Sequence, residues 1–222
     1  MNSESLISRR AGEIGLNIDA PTVARLTRFV DLVLEYRDRA SLTSLRTSAE
    51  VVEGLLVDSL ALSTVEGFAA ARCCLDVGVG GGFPSVPAAI VSPSNVWVGV
   101  DRARKKVAFL RRILRSLSIH RYEAVCGDLH EIAYTHQFAS SFDLVVVRAL
   151  RLNERLLRAT RSVLSPDGRV VLYRHTREDS ILDVYGQFTG EAPSARTIAL
   201  GEGIRSVRFE YHDLGGLDDA IR

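Results

Sequence analysis

Lysine is almost absent from this chain. Of its 28 basic residues only two are lysine, the adjacent Lys105 and Lys106, and the formal net charge is only +1. No global basic field therefore advertises nucleic acid, and local clusters of arginine must be judged on their own. Cysteine is scarce as well: Cys73, Cys74 and Cys126 lie in or beside apolar runs, without CxxC spacing and without a histidine partner nearby. They read as small buried hydrophobes of a reducing compartment. His120, His130, His136, His175 and His212 are scattered, with no pair at the spacing of a metal site, so no metal is expected. No apolar run approaches the ~20 residues of a membrane span, and the first ten residues lack the apolar centre of a signal peptide. These absences point to a cytoplasmic protein, and internal repeats are lacking too.

The 222 residues, 46% hydrophobic and 25% charged, suffice for one large domain or a domain with an appendage. Residues 1–70 read as a helical extension. Pro21 can open a helix whose apolar positions Val23, Leu26, Phe29, Val30, Val33 and Leu34 recur at three- and four-residue steps. Thr47-Ser48-Ala49-Glu50 has the form of a capping box. Tyr36 to Arg46, mixed in Arg, Ser and Thr, reads as a linker.

From residue 71 to 222 the period changes. Candidate strands are 73–77, 96–100, 122–126, 144–147 and 169–173, with helices near 88–91, 103–117 and 153–163 between them. Strands at 197–200 and 207–211 follow, and the Ser/Ala/Pro run near Ala192-Pro193-Ser194 reads as a loop. Such alternation predicts an α/β, Rossmann-like domain whose mostly parallel seven-stranded sheet ends in an antiparallel hairpin. Ligands of such sheets bind beyond the carboxyl ends of the strands.

The centre of the pattern is Leu75-Asp76-Val77-Gly78-Val79-Gly80-Gly81-Gly82-Phe83-Pro84, a buried strand running into a loop of almost bare backbone. So much glycine implies positive φ angles or close approach of a ligand. A dinucleotide fingerprint starting at Gly78 would want Gly or Ala where Phe83 stands. The alternative, acid-x-Gly-x-Gly-x-Gly, is filled by Asp76, Gly78, Gly80 and Gly82 and suits S-adenosylmethionine, whose carboxylate can take backbone N–H groups while acids take its cationic groups. Asp101 ends the next strand, where a carboxylate can hold ribose hydroxyls; capping the helix that starts near Ala103 is its competing role. Asp128 follows the third strand and can accept from the adenine amino group.

The stretch Leu75 to Ile90, with Pro84 and Pro87 after the glycines, resembles the cofactor loop of the GidB/RsmG family of bacterial 16S ribosomal RNA guanine-N7 methyltransferases. Ser41-Leu42-Thr43, Asp58-Ser59-Leu60, Lys105-Lys106-Val107-Ala108-Phe109-Leu110, Phe142-Asp143 and Arg148-Ala149 resemble further motifs of that family in order. The resemblance implies a class I methyltransferase fold, and S-adenosylmethionine contacts from Gly78, Phe83, Leu129, His130 and Arg148. It also implies 16S RNA or the 30S subunit as partner of a monomer. The chain departs from the family pattern at Ser41, Gly54-Leu55, Ser85, Asp128, His130, Val147 and Arg174-His175.

The acceptor chemistry follows from what the motifs omit. Enzymes acting on exocyclic base amines carry an Asn/Asp-Pro-Pro-aromatic turn where this chain reads Val147-Arg148-Ala149-Leu150, and no cysteine stands ready for carbon-5 methylation. A guanine N7 lone pair is already nucleophilic, so alignment rather than a base is needed, with Arg148 orienting cofactor or base. RNA has two candidate faces: Lys105 and Lys106 with the arginines from Arg102 to Arg115, and Arg148, Arg151, Arg155, Arg158 and Arg161 at steps of three or four. Solvated faces paired with acids such as Glu154 compete with both. A non-catalytic RNA-binding relative, or methyl transfer to another RNA or a small molecule, stays open at this level.

Overall fold

The structure, a computed structural model, describes residues 2–65, 67–133, 135, 137–151, 153–175, 194–198 and 207–212. The expected loop near Ala192 and Pro193, His136 and the end of the sixth strand at residues 199 and 200 lie outside them.

Five parallel strands form the sheet's body: β1 (Cys73–Val77), β2 (Val96–Asp101), β3 (Tyr122–Cys126), β4 (Phe142–Val147) and β5 (Leu164–His175). An antiparallel pair, β6 (Ser194–Ile198) and β7 (Val207–His212), completes it in the order β3-β2-β1-β4-β5-β7-β6. The order reverses between β1 and β4, where a crevice must open at the carboxyl ends. Asp143 Oδ2 fixes the other end of that junction, accepting the N–H groups of Arg72 at 2.8 Å and Cys73 at 3.0 Å.

Both faces of the sheet are covered, which is why its strands read as near-continuous apolar runs. Leu75, Val77, Val145 and Val147 point to the side of α7 (Leu129–Ile132) and α8 (Glu154–Val163). Cys74, Leu144 and Val146 point to the other side, sharing a core with α5 (Ser85–Val91) and α6 (Arg104–Ser116). The N-terminal helices α1 (Ser3–Glu13) and α2 (Ala20–Ala40) extend that second core through Ile7, Leu26, Phe29 and Val33. Burying each such side chain contributes about 1.5–3 kcal/mol.

Pro21 stands in the first turn of α2, as the pattern indicated, and Asp19 caps that helix by accepting the Thr22 N–H. The helix continues through Tyr36 to Ala40, so the first part of the expected linker is helical. Tyr36 is held there by packing on Phe109 of α6, ring centroids 5.7 Å apart, and packing outweighs the polar composition. Thr47 and Glu50 form the complete capping box of α3 (Ser48–Val51). That helix widens into a π-helical turn, Val52–Leu56, before α4 (Val57–Ala61). Arg10 pairs with Glu53 at 2.6 Å and so ties α1 to the π-helical turn.

Candidate functional site

A cavity of about 680 Å³ opens at the carboxyl ends of β1, β2 and β4. The turn after β1 supplies Gly78, Gly80, Gly81 and Phe83; the ends of β2 and β3 supply Asp101, Asp128, Leu129 and His130; the segment after β4 supplies Arg148, Leu150 and Arg151. Leu42, Thr43 and Leu55 of the N-terminal segment form the remaining wall, and Arg102, Lys106 and Arg155 stand among its cations.

Positive φ makes the turn. Gly78, Gly80 and Gly82 have φ of 76°, 54° and 92°. A Cβ on Gly78 would stand 2.9 Å from Leu150 Cδ1, and one on Gly82 would stand 2.8 Å from Val86 Cγ2. Glycine is therefore required by backbone conformation and by close approach together. Phe83, 8% exposed, packs on Phe29 with centroids 4.9 Å apart, so a loop residue is anchored to α2.

The three strand-end acids occupy different layers. Asp101 Oδ2 accepts the Gly80 N–H at 2.9 Å and its Oδ1 accepts the Ala103 N–H at 2.8 Å. One carboxylate thus ties the glycine loop to the start of α6 while lining the cavity, and its oxygens keep further lone pairs for a ligand. Asp128 caps α7, accepting the His130 N–H at 3.0 Å, and faces Arg102 at 3.4 Å. Asp76 lies beneath the loop, wholly buried and outside the cavity lining. It accepts from Ser85 Oγ and from Ser85 N at 3.3 Å, and Ser85 Oγ lies 2.6 Å from the Tyr122 hydroxyl. Burial lifts the Asp76 carboxyl to about 7, against the pull of those hydrogen bonds. Gly82, like Asp76, shapes the loop from outside the lining.

Arg148 stands in the cavity wall, and its guanidinium also reaches the N-terminal segment. Nη1 donates to Leu55 O and Ser59 Oγ, both at 3.3 Å, and Nη2 donates to Gly54 O at 3.4 Å and Asp58 Oδ2 at 3.2 Å. The Tyr173 ring lies beside it at 5.3 Å, and the Tyr173 hydroxyl donates to Asp58 O. The next residue, Ala149, has φ 56°, a strained conformation for a residue with a Cβ. Ser41-Leu42-Thr43 and Asp58-Ser59-Leu60 resemble family motifs, and their composition alone indicates no task. Their task is to complete the cavity and to hold Arg148.

The two basic faces separate. Arg151 and Arg155 line the cavity, whereas Arg158 turns to Glu154 one helical turn back, the competing role of a paired surface residue. Lys106 lines the cavity and Lys105 is exposed beside it. Among the described residues no cluster of three metal-ligating side chains occurs, and no helix is long and apolar enough to cross a membrane.

Comparison with known proteins agrees with this architecture. In solved structures the fold is shared with the O-methyltransferase from Bacillus cereus in complex with SAH, with TM-score 0.59 and 14% identity, over 95% of this chain and 99% of that one. It is shared as well with an O-methyltransferase family protein from Burkholderia thailandensis, with TM-score 0.54 and 12% identity, over 88% of this chain and 61% of that one. The chain is 33% identical over 170 residues to the Ribosomal RNA small subunit methyltransferase G of Geobacter sp. (strain M21), covering 77% of this chain and 76% of the relative. It is 31% identical over 169 residues to the protein of that name from Geotalea uraniireducens (strain Rf4), covering 76% and 75%. The family described as rRNA small subunit methyltransferase G matches residues 22–194, most of the sheet and the whole cavity, and the chain belongs to that family.

Proposed function

We propose that the chain transfers a methyl group from S-adenosylmethionine to N7 of a guanine in 16S ribosomal RNA. One observation carries this reading: a single cavity is lined both by the glycine turn with the strand-end acids and by the cations Arg102, Lys106, Arg151 and Arg155. The cofactor fits the glycine turn and the acids by the chemistry of its donors and acceptors. Bare backbone at Gly78 and Gly80 can face a carboxylate, Asp101 and Asp128 can accept from hydroxyl and amino groups, and Phe83, Leu129 and His130 bound the space. Asp76 and Gly82 act from below by fixing the loop.

S-adenosylmethionine supplies an electrophilic methyl on a sulfonium. The chain's own contribution is position. A guanine N7 carries an in-plane lone pair and needs no proton removed, so holding it in line is the main demand. Arg148, clasped to the N-terminal segment, keeps the wall beside that path in place. The rim cations attract phosphates, and Arg151 and Arg155 can follow the backbone that delivers the base, with Lys105 just outside; Arg158, occupied by Glu154, stands further back. The test is methyl transfer to 30S subunits or 16S RNA from a strain lacking its own guanine-N7 enzyme, mapped to a guanine N7. Clear binding of S-adenosylmethionine without any incorporation there would overturn the reading.

A further inference from the structure

We propose that the outer face of α6, with the end of α2, is a second docking surface for the phosphate backbone of the ribosomal RNA, separate from the cavity mouth. The inference rests on the reading of the chain as an enzyme acting on that RNA. α6 reads Arg104-Lys105-Lys106-Val107-Ala108-Phe109-Leu110-Arg111-Arg112-Ile113-Leu114-Arg115-Ser116, with many cations and no acid. Val107, Phe109, Leu110, Ile113 and Leu114 are buried, so Arg104, Lys105, Arg111, Arg112 and Arg115 share the exposed stripe. From Arg104 to Arg115 that stripe runs roughly 16 Å along the helix.

This charge sits where helix physics disfavours it. The first turn holds Arg104, Lys105 and Lys106, no acid and no side-chain cap, against the positive end of the helix dipole. Among the described residues no ion pair reaches any cation of α6. Asp101 Oδ1 accepts the Ala103 N–H at the helix start, and Arg111 donates Nε and Nη2 to Ala124 O at 3.0 and 2.8 Å, but neither offers an ion pair to Arg104, Lys105, Arg112 or Arg115. A local rule broken to that extent is the mark of a functional position.

The face also holds an aromatic between two guanidiniums. Arg112 lies over the Tyr36 ring at 5.0 Å and Arg39 at 5.7 Å, with Phe109 supporting the ring from the core side. Stacking fixes both planar forks, and a fork already fixed loses less freedom when it takes a phosphate oxygen pair. The exposed acids of α2, Asp31, Glu35 and Asp38, recur at steps of four and three; Arg39, four residues after Glu35, borders that row and carries its guanidinium over Tyr36. Both helices reach the cavity, α2 running into Leu42 and Thr43 and α6 beginning beside Arg102 and Lys106. The basic face therefore starts at the cavity mouth and leads away from it. A polyanion that presents a base to the cavity meets this line of forks next.

The test uses the double variant Arg104→Gln/Arg115→Gln, and separately Arg112→Gln, in the full chain. None of these side chains lines the cavity. Binding to a 16S RNA transcript is measured across a KCl series, with S-adenosylmethionine titration and thermal melting as controls. For the double variant the slope of log affinity against log salt should fall by about 1.4–1.8, and affinity at low salt by roughly tenfold or more, with cofactor affinity and Tm unchanged. Arg112→Gln should shift the slope in the same direction by about half as much. Unchanged slopes in both, from a parent that binds and methylates the RNA, would overturn the surface alone. Unchanged slopes on naked RNA with weakened binding only to 30S subunits would assign the face to an acidic ribosomal protein and overturn it too. A parent that binds no RNA overturns the functional reading and this surface together.

Discussion

Arg148 and Asp58 stand 90 positions apart in sequence and meet at 3.2 Å, both largely shielded from water. Breaking such a pair from one side leaves a charge without its partner and costs about 3–5 kcal/mol. Asp58→Ala should therefore lower Tm by roughly 6 °C or more at this chain length, and should weaken S-adenosylmethionine binding as Leu55 and Thr43 loosen. Asp58→Asn keeps a hydrogen-bond acceptor and should lose less of both. Calorimetry of melting and of cofactor titration reads the two effects separately; a Tm within a degree of the parent for Asp58→Ala would remove the clasp from the account.

Asp76 offers a pH test. Enclosure raises its carboxyl to about 7, with Ser85 and the charge of Arg148 opposing. Between about pH 4 and 7 the folded chain holds a proton there that the unfolded chain has released. Stability from this group is complete at the acid end of that window and is lost as pH rises through it. The uncharged isostere Asp76→Asn should gain on the parent as pH goes from 4 to 7, seen as a growing Tm difference in its favour. A difference that stays level or shrinks would mean that Asp76 is already ionised in the fold.

The two tight glycines should fail differently. A methyl on Gly82 meets the fully buried, β-branched Val86, which cannot turn aside, so Gly82→Ala should cost roughly 1–3 kcal/mol of stability. A methyl on Gly78 meets the tip of half-buried Leu150, which can yield, but Leu150 and Gly78 both line the cavity. Gly78→Ala should thus reduce cofactor affinity by tenfold or more, about 1.4 kcal/mol, with a smaller loss of Tm. The reverse ranking in melting and titration would contradict these assignments.

Ser41 closes α2 with φ 51°, a left-handed conformation that a serine holds at a cost of about 1 kcal/mol. Ser41→Gly should raise Tm by a few degrees, and Ser41→Asn, a residue that tolerates the left-handed region better than serine, by less. A lowered Tm for both would show that the Ser41 side chain makes a contribution beyond its backbone angle.

Much of this fold was legible because it is written in local patterns. Strands covered on both faces are apolar throughout, and Cys73–Val77 and Tyr122–Cys126 stand where their composition put them. The fifth strand is longer than the expected 169–173: Ser165-Pro166-Asp167-Gly168 has the composition of a turn, yet Leu164–His175 is one strand, irregular where β4 shifts register between Phe142 and Leu144. The candidate site divides along the same line. Gly78, Asp101 and Asp128 stand out by spacing and Phe83 by the family resemblance, whereas Asp58, Ser59 and Tyr122 act through contacts with residues 37 to 115 positions away, which no period in the sequence encodes.

The wall formed by Leu42, Thr43 and Leu55 makes the pocket a joint product of two distant stretches of chain. A chimera that exchanged residues 1–70 between relatives would inherit a working pocket only if the graft also brought an acid able to meet Arg148. Transplanting the glycine loop alone would move the most recognisable residues and leave the enclosure behind.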